Sequence, residues 1–205
     1  MKEEAWLEWA VRLQALAQNG LAYDPEVFDR ERYKEIRDIA SQMLSDVSGI
    51  PHSKVTELFA SEDGYQTPKI DTRAAIFEDD KVLLVQEANG LWALPGGWCD
   101  VQESILSNTI KEVKEETGFE VEAKRLVAVQ DKRKNNQSNT AVRVIKHFVL
   151  CHYIRGAFQA NSETLDAKYF DLNQLPELSQ NKTTAKQIRL CYEAYRAEHW
   201  ETVFD

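Results

Sequence analysis

Between Leu94 and Phe119 the chain reads LPGGWCDVQESILSNTIKEVKEETGF, a double glycine followed by a helix-forming run that carries Glu112, Glu115 and Glu116. Like charges three and four residues apart repel on a helix surface, so the segment accepts a local electrostatic cost that something else must offset. The spacing predicts a helix from Ser104, a capping residue, to Thr117, stopped by Gly118 just past its end. Leu106, Ile110 and Val113 are expected on its buried face, with the three glutamates on another. Clustered carboxylates make a hard-oxygen donor set of the kind that Mg²⁺ or Mn²⁺ occupies while keeping several waters. A solvated acidic helix face is the alternative when such a triplet stands by itself.

This triplet has company. Pro95, Gly96 and Gly97 form a turn at which backbone can approach a ligand or ion without a side chain in the way. Glu103 and Lys111 carry opposite charges and are expected to tie the loop to the helix. Taken at their offsets, Gly97, Glu103, Lys111, Glu112, Val113, Glu115, Glu116 and Gly118 resemble the signature box of the Nudix hydrolases, with Lys111 where that family usually has Arg. Lysine keeps the charge but loses the two-pronged geometry of a guanidinium.

The resemblance runs on through VAVQDKRKN and the amino-terminal WAVRLQALAQNGLAYDPEVFDRERYKEIRDIASQML, and is closest in kind to the subgroup with an amino-terminal helical domain, whose members resemble CDP-choline and ADP-ribose pyrophosphatases. It implies an α/β fold, an α/β/α Nudix sandwich around a mixed sheet, plus a small all-α domain, commonly as a homodimer. It implies metal-dependent hydrolysis of a nucleoside diphosphate linked to a moiety X, with CDP-choline as the first expected substrate and ADP-ribose as the second. Carried over by position, Glu112 and Glu116 are the principal Mg²⁺ or Mn²⁺ ligands, Glu115 a further ligand or water-positioning group, and the Gly97 or Gly96 carbonyl a backbone oxygen ligand. Glu163, in NSETLDAKYF, matches a loop glutamate that serves relatives as base or water ligand; Glu115 or Glu116 is the alternative base, and a loop acid without a role the bland reading. Arg73 stands where relatives carry a phosphate-facing arginine, against a plain ion pair.

Other substrate contacts rest on residue type. Trp98 beside the glycines could stack on a base, whereas Trp92 reads as hydrophobic support. Lys132 and Arg133, with Lys134, form a local basic loop suited to phosphate or an RNA strand, or simply to solvent. An RNA-directed enzyme and a non-catalytic binding module are therefore the competing functions; the basic loop favours the first, and the intact glutamates oppose the second.

Around this centre, periodicity predicts the framework. Trp6, Trp9, Ala10, Leu13, Leu16 and Ala17 mark one helix stripe, expected to end at Gly20, and a second helix runs to Ser48-Gly49 with a short third after it. The polar SEDGYQTPK segment then separates a helical domain, residues 1–62, from a catalytic one, residues 69–205. With two tryptophans on its stripe, the helical part is expected to dimerise or to support the substrate site of its own catalytic domain. Beyond the linker, a strand pair about Asp79-Asp80, two strands joined by the polar loop of residues 131–140, a short strand and a closing amphipathic helix interleave as in one α/β domain.

A formal net charge of -9 on 205 residues argues against a general nucleic-acid coat protein or an anionic membrane as partner. The start of the chain lacks the pattern of a signal peptide, and no stretch is apolar enough to span a bilayer. The odd, scattered Cys99, Cys151 and Cys191 suggest neither disulfides nor zinc, and with the foregoing lead to the expectation of a cytoplasmic protein.

Overall fold

The computed structural model describes residues 2–61, 63–136, 141–161 and 163–205. Part of the polar loop of residues 131–140, namely 137–140, lies outside them, as does residue 62 of the expected first domain. Two compact units emerge, one up to Pro68, joined by Ala141 and Val142, and one from Lys69 onward.

The first unit contains α1 (Lys2–Ala22), α2 (Val27–Ser48) and α3 (His52–Phe59). Ala10, Leu44 and Val55 form its small core, with Leu7, Met43 and Phe59 against them. Gly49 in the left-handed conformation closes α2, as its sequence suggests. Gly20 does not end α1: the helix runs through it, and a Cβ there would lie 2.5 Å from the Tyr33 ring, so the glycine serves close packing against α2. Of the expected α1 stripe, Ala10 and Ala17 are buried, while Trp6 and Trp9 pack edge to face, 5.5 Å apart, and remain about half exposed.

The second unit is a mixed seven-stranded sheet, β1 (Lys69–Glu78), β2 (Lys81–Glu87), β3 (Trp92–Ala93), β4 (Glu120–Asp131), β5 (Val144–Arg155), β6 (Thr164–Asp171) and β7 (Val203–Phe204). Helices α4 (Ile105–Thr117) and α6 (Ala185–Arg196) accompany it, with the four-residue α5 (Lys132–Asn135) capped by the Asp131 side chain. The β1–β2 hairpin turns on Asp79 and Asp80, both at positive φ, the backbone a two-residue turn demands of strands with right-handed twist.

Strand β1 is buried on both faces. Ala75 and Phe77 join Phe148, Leu150, Ile188 and Cys191 under α6; Ala74 and Ile76 join Val113, Val149 and Cys151 under α4. The period-two alternation of one strand thus builds two cores, and the layers are α/β/α. Along one edge β1 pairs in parallel with β5 from Lys69 to Ile76; along the other it meets β2 only at Phe77 and Glu78. The amino-terminal half of that second edge is left for another segment to fill, and the glycine loop fills it.

Candidate active site

The loop pairs with β1 through main-chain bonds. Ala74 N donates to Pro95 O (2.8 Å), Thr72 N to Gly97 O (2.9 Å) and Cys99 N to Ile70 O (2.9 Å). Gly96 is sterically compelled, and a side chain on Gly97 would have to displace the Glu112 carboxylate. Gly96 sits at φ +136, where a Cβ would lie 2.0 Å from Thr72 O, and a Cβ on Gly97 would lie 2.5 Å from Glu112 Oε2.

Helix α4 begins at a Ser104–Ser107 capping box and ends on left-handed Gly118. Two ladders at i, i+4 spacing organise it. Ile105, Thr109, Val113 and Thr117 turn to the sheet, while Asn108, Glu112 and Glu116 form the adjacent ladder beside the loop. Leu106, expected in the buried stripe, is 55% exposed; Ile105 takes its place because the inward ladder is centred one residue earlier. Buried Asn108 joins helix, loop and strand: its Nδ2 donates to Thr72 Oγ1 (2.8 Å) and Trp98 O (3.2 Å), and its Oδ1 accepts from Asp100 N (3.2 Å).

The expected pair between Glu103 and Lys111 is replaced by another. Glu103 N folds back onto Asp100 O (2.9 Å), and it is the Asp100 carboxylate that meets Lys111 Nζ, at 2.9 Å. Lys111 also lies 3.3 Å from Glu115 and 3.9 Å from Glu112. The tie from loop to helix exists, with a different acid.

Asp71, Arg73, Gly96, Gly97, Trp98, Asp100, Glu112, Glu115, Glu116, Lys132, Lys146, Glu163 and Lys182 line one cleft of about 480 Å³. Arg133 is not among its lining residues; its main-chain N–H completes the Asp131 cap of α5. Trp98 is 55% exposed at the cleft, while Trp92 is buried edge to face against Phe170. Glu163 reaches the cleft on a loop pinned by Asn161, whose Oδ1 accepts from Glu163 N (2.9 Å) and whose Nδ2 donates to Glu115 O (2.9 Å).

Burial, with repulsion from Glu112, pushes Glu116 up to about 7 even though Arg73 and the Gly96 N–H (2.8 Å from Oε2) favour its charged form. Burial also raises Glu112, with Lys111 opposing. These carboxylates are undercompensated, and a hard cation would relieve them. Among the described residues no three acidic, histidine or cysteine side chains are placed to hold a metal ion by themselves. An ion of Mg²⁺ type suits such an open set, because it keeps several waters and needs few carboxylates. Gly97 O has a lone pair left after accepting from Thr72. The donor set therefore fits a divalent cation. Cys99 fits no nucleophilic role: burial and the carboxylates of Asp100, Glu103 and Glu112 push its thiol up.

Asp71, Asn108, Lys146, Asn161 and Lys182 went unnoticed in the sequence. A lysine inside the apolar strand run VIKHFVLC was the available signal for Lys146, since an unpaired lysine has no place in a two-sided core. Among the described residues no helix is long and apolar enough to cross a membrane.

Comparison with known proteins matches residues 4–59 to the UDP-X-like N-terminal oligomerisation domain and residues 68–191 to the NUDIX domain. A Bacillus subtilis (strain 168) protein provisionally named an ADP-ribose pyrophosphatase is 38% identical over 98% of this chain and 97% of its own. A crystal structure of an ADP-ribose pyrophosphatase from Streptococcus suis 89-1591 is 59% identical, covers 68% of this chain and all of its own, and superposes with a TM-score of 0.65. That of a UDP-X diphosphatase is 35% identical, covers 99% of this chain and all of its own, with a TM-score of 0.64. With the NUDIX domain matched over residues 68–191 and full-length relatives above 30% identity, the chain belongs to the Nudix hydrolases, enzymes that act on nucleoside diphosphates linked to another moiety.

Proposed function

We propose that the chain hydrolyses the pyrophosphate bond of a nucleoside diphosphate linked to X, in a Mg²⁺- or Mn²⁺-dependent reaction, with ADP-ribose as leading substrate. The observation that carries this is the grouping of Glu112, Glu115, Glu116 and Glu163 with Arg73 and Lys132 in one cleft. ADP-ribose stands ahead of CDP-choline, the first expectation from sequence, because two similar proteins bear its name. Glu112, Glu116 and the Gly97 carbonyl would hold the ion, with Glu115 assisting. When bound, it supplies charge neutralisation on the diphosphate and eases deprotonation of the attacking water. Glu163, on its pinned loop, orients or deprotonates that water; Arg73 and Lys132 attract phosphoryl oxygens; Trp98 offers a ring face to the base. Gly118 fixes the helix end, and Lys111 adds an exposed tie to a loop that Asn108 already holds in register.

A panel of ADP-ribose, CDP-choline, UDP-sugars, dinucleotide polyphosphates and short RNA, assayed with each metal, tests the reading. The highest kcat/KM is expected for ADP-ribose; preference for CDP-choline would reverse the ranking, and preference for RNA would replace it.

We also infer that the amino-terminal unit forms a homodimer. The exposed Trp6–Trp9 pair supports this, together with the description of the matching family as an oligomerisation domain. Light scattering is expected to give twice the chain mass, and a monomer for Trp6→Ala/Trp9→Ala; a wild-type monomer would refute it.

A further inference from the structure

Strands β1 and β5 run parallel with Asp71 and Lys146 in register. Alternate residues share a face, so Asp71 and Arg73 continue the row of Ala75 and Phe77, and Lys146 that of Phe148 and Leu150. Where the apolar core ends, the same face becomes a buried ionic cluster: Asp71 is 5% exposed, Arg73 3% and Lys146 1%. Lys146 Nζ donates to Asp71 Oδ1 (2.6 Å), and Arg73 grips both oxygens of Asp71 through Nε (3.0 Å) and a terminal nitrogen (2.7 Å).

Arg73 and Lys146 share the Asp71 carboxylate, and because Arg73 is also drawn on by the charge of Glu116, Lys146 is left with half a partner. An ammonium has three N–H donors, and among the described residues Asp71 is the sole acceptor for Lys146. Two charged donors are thus left over on a group that lines the cleft. Leaving buried charged donors unsatisfied is costly, so a ligand anion has a place prepared for it. Lys132 and Lys182 are further cations lining the same cleft.

We propose that Lys146, held by Asp71, is a substrate-binding residue that receives non-bridging oxygens of the diphosphate on the phosphoryl group farther from the helix α4 glutamates. The assignment rests on the reading of the cleft as a diphosphate hydrolase site. It divides that site into a cation-dependent half on α4 and a cation-independent half on β1 and β5; burial, with Arg73 repelling, pulls Lys146 down to about 8 even with Asp71 beside it.

The test separates this proposal from the reading beneath it. Calorimetric titration with sodium pyrophosphate in excess chelator is expected to show binding to wild-type protein. Binding should be at least about tenfold weaker for Lys146→Gln, which keeps an N–H for Asp71, and undiminished for Glu116→Gln. With ADP-ribose and Mg²⁺, Lys146→Gln should raise KM about tenfold or more while kcat changes less than about threefold. No pyrophosphate binding by the wild type, or equal binding by Lys146→Gln, would overturn the assignment. Wild-type protein that binds pyrophosphate but hydrolyses no nucleoside diphosphate would overturn the enzymatic reading alone. Should Lys146→Gln fail to fold, nitrogen-15 NMR of the wild-type Lys146 ammonium replaces it: pyrophosphate must shift that resonance, and an unmoved resonance refutes the proposal.

Discussion

On the α4 side of the cleft, Glu112 and Glu116 are partly buried near one another with a main-chain N–H and an arginine as incomplete compensation; on the β1–β5 side, Arg73 and Lys146 close around Asp71 in a bonded cluster. Burial pushes Asp71 up, yet Arg73 and Lys146 overcome it and hold the carboxyl below its ordinary range, the reverse of the outcome at Glu116. The same functional group in one cleft thus ends in opposite states. A carboxylate with built-in cations belongs to the scaffold, and one without them awaits an ion from outside.

The hardest blow to this contrast is Glu116→Gln. It removes charge from the undercompensated side, so turnover should fall by about 10³ or more, some 4 kcal/mol of lost transition-state stabilisation, with no loss of melting temperature. Steady-state kinetics and calorimetry read both; full activity would end the assignment of the acidic ladder. Gly97→Ala should come next, because its Cβ would meet Glu112 Oε2 at 2.5 Å. A loss of about 10² in kcat/KM is expected, while a fully active variant would mean that Glu112 can move aside without consequence. Glu163→Gln should cost about 10² in kcat and leave KM and melting temperature near wild type, since its loop is pinned by Asn161 rather than by its own carboxylate. Near-normal turnover would remove Glu163 from the chemistry.

The two sides also differ in how they were legible. Glu112, Glu115 and Glu116 lie four positions apart at most, so helical spacing brings them together before any tertiary contact is known. Asp79-Asp80 and Gly118 were readable for the same reason: turns and caps are written in local backbone demands. Asp71 and Lys146 are 75 positions apart and meet only because β1 and β5 pair in parallel in one register, which no local pattern states. Glu103 shows the limit within a motif, since charge complementarity suggested its partner and a single turn onto Asp100 changed it.

Proton linkage sharpens the contrast without touching the chemistry. The folded state holds Glu116 at about 7 against an ordinary 4.5. A carboxyl raised on folding is stabilising below its unfolded value, and that contribution is lost as pH climbs from about 4.5 through about 7. Metal-free protein should therefore lose a few degrees of melting temperature across that window relative to Glu116→Gln. Added Mg²⁺ should restore more at pH 7.5 than at pH 5.5, because only the ionised pair binds it. Parallel melting curves for the two proteins would show that burial at Glu116 is relieved by other means.

The smallest effect is expected at Lys111, and its smallness is informative. Its ammonium touches Asp100 at 2.9 Å and Glu115 at 3.3 Å, with a third of the side chain open to solvent. Exposed pairs of this kind contribute little, because water and salt screen them and two long side chains must be ordered. Helix and loop are already joined by buried Asn108, whose three hydrogen bonds are not shared with solvent in the same way. Lys111→Ala should therefore change kcat/KM by less than about threefold, whereas Asn108→Ala, which strands Thr72 and two main-chain groups, should cost several degrees of melting temperature. If Lys111→Ala instead lost activity about a hundredfold with its melting temperature intact, the lysine would be restraining Glu112, 3.9 Å away, and the acidic side would prove to have a resident cation of its own.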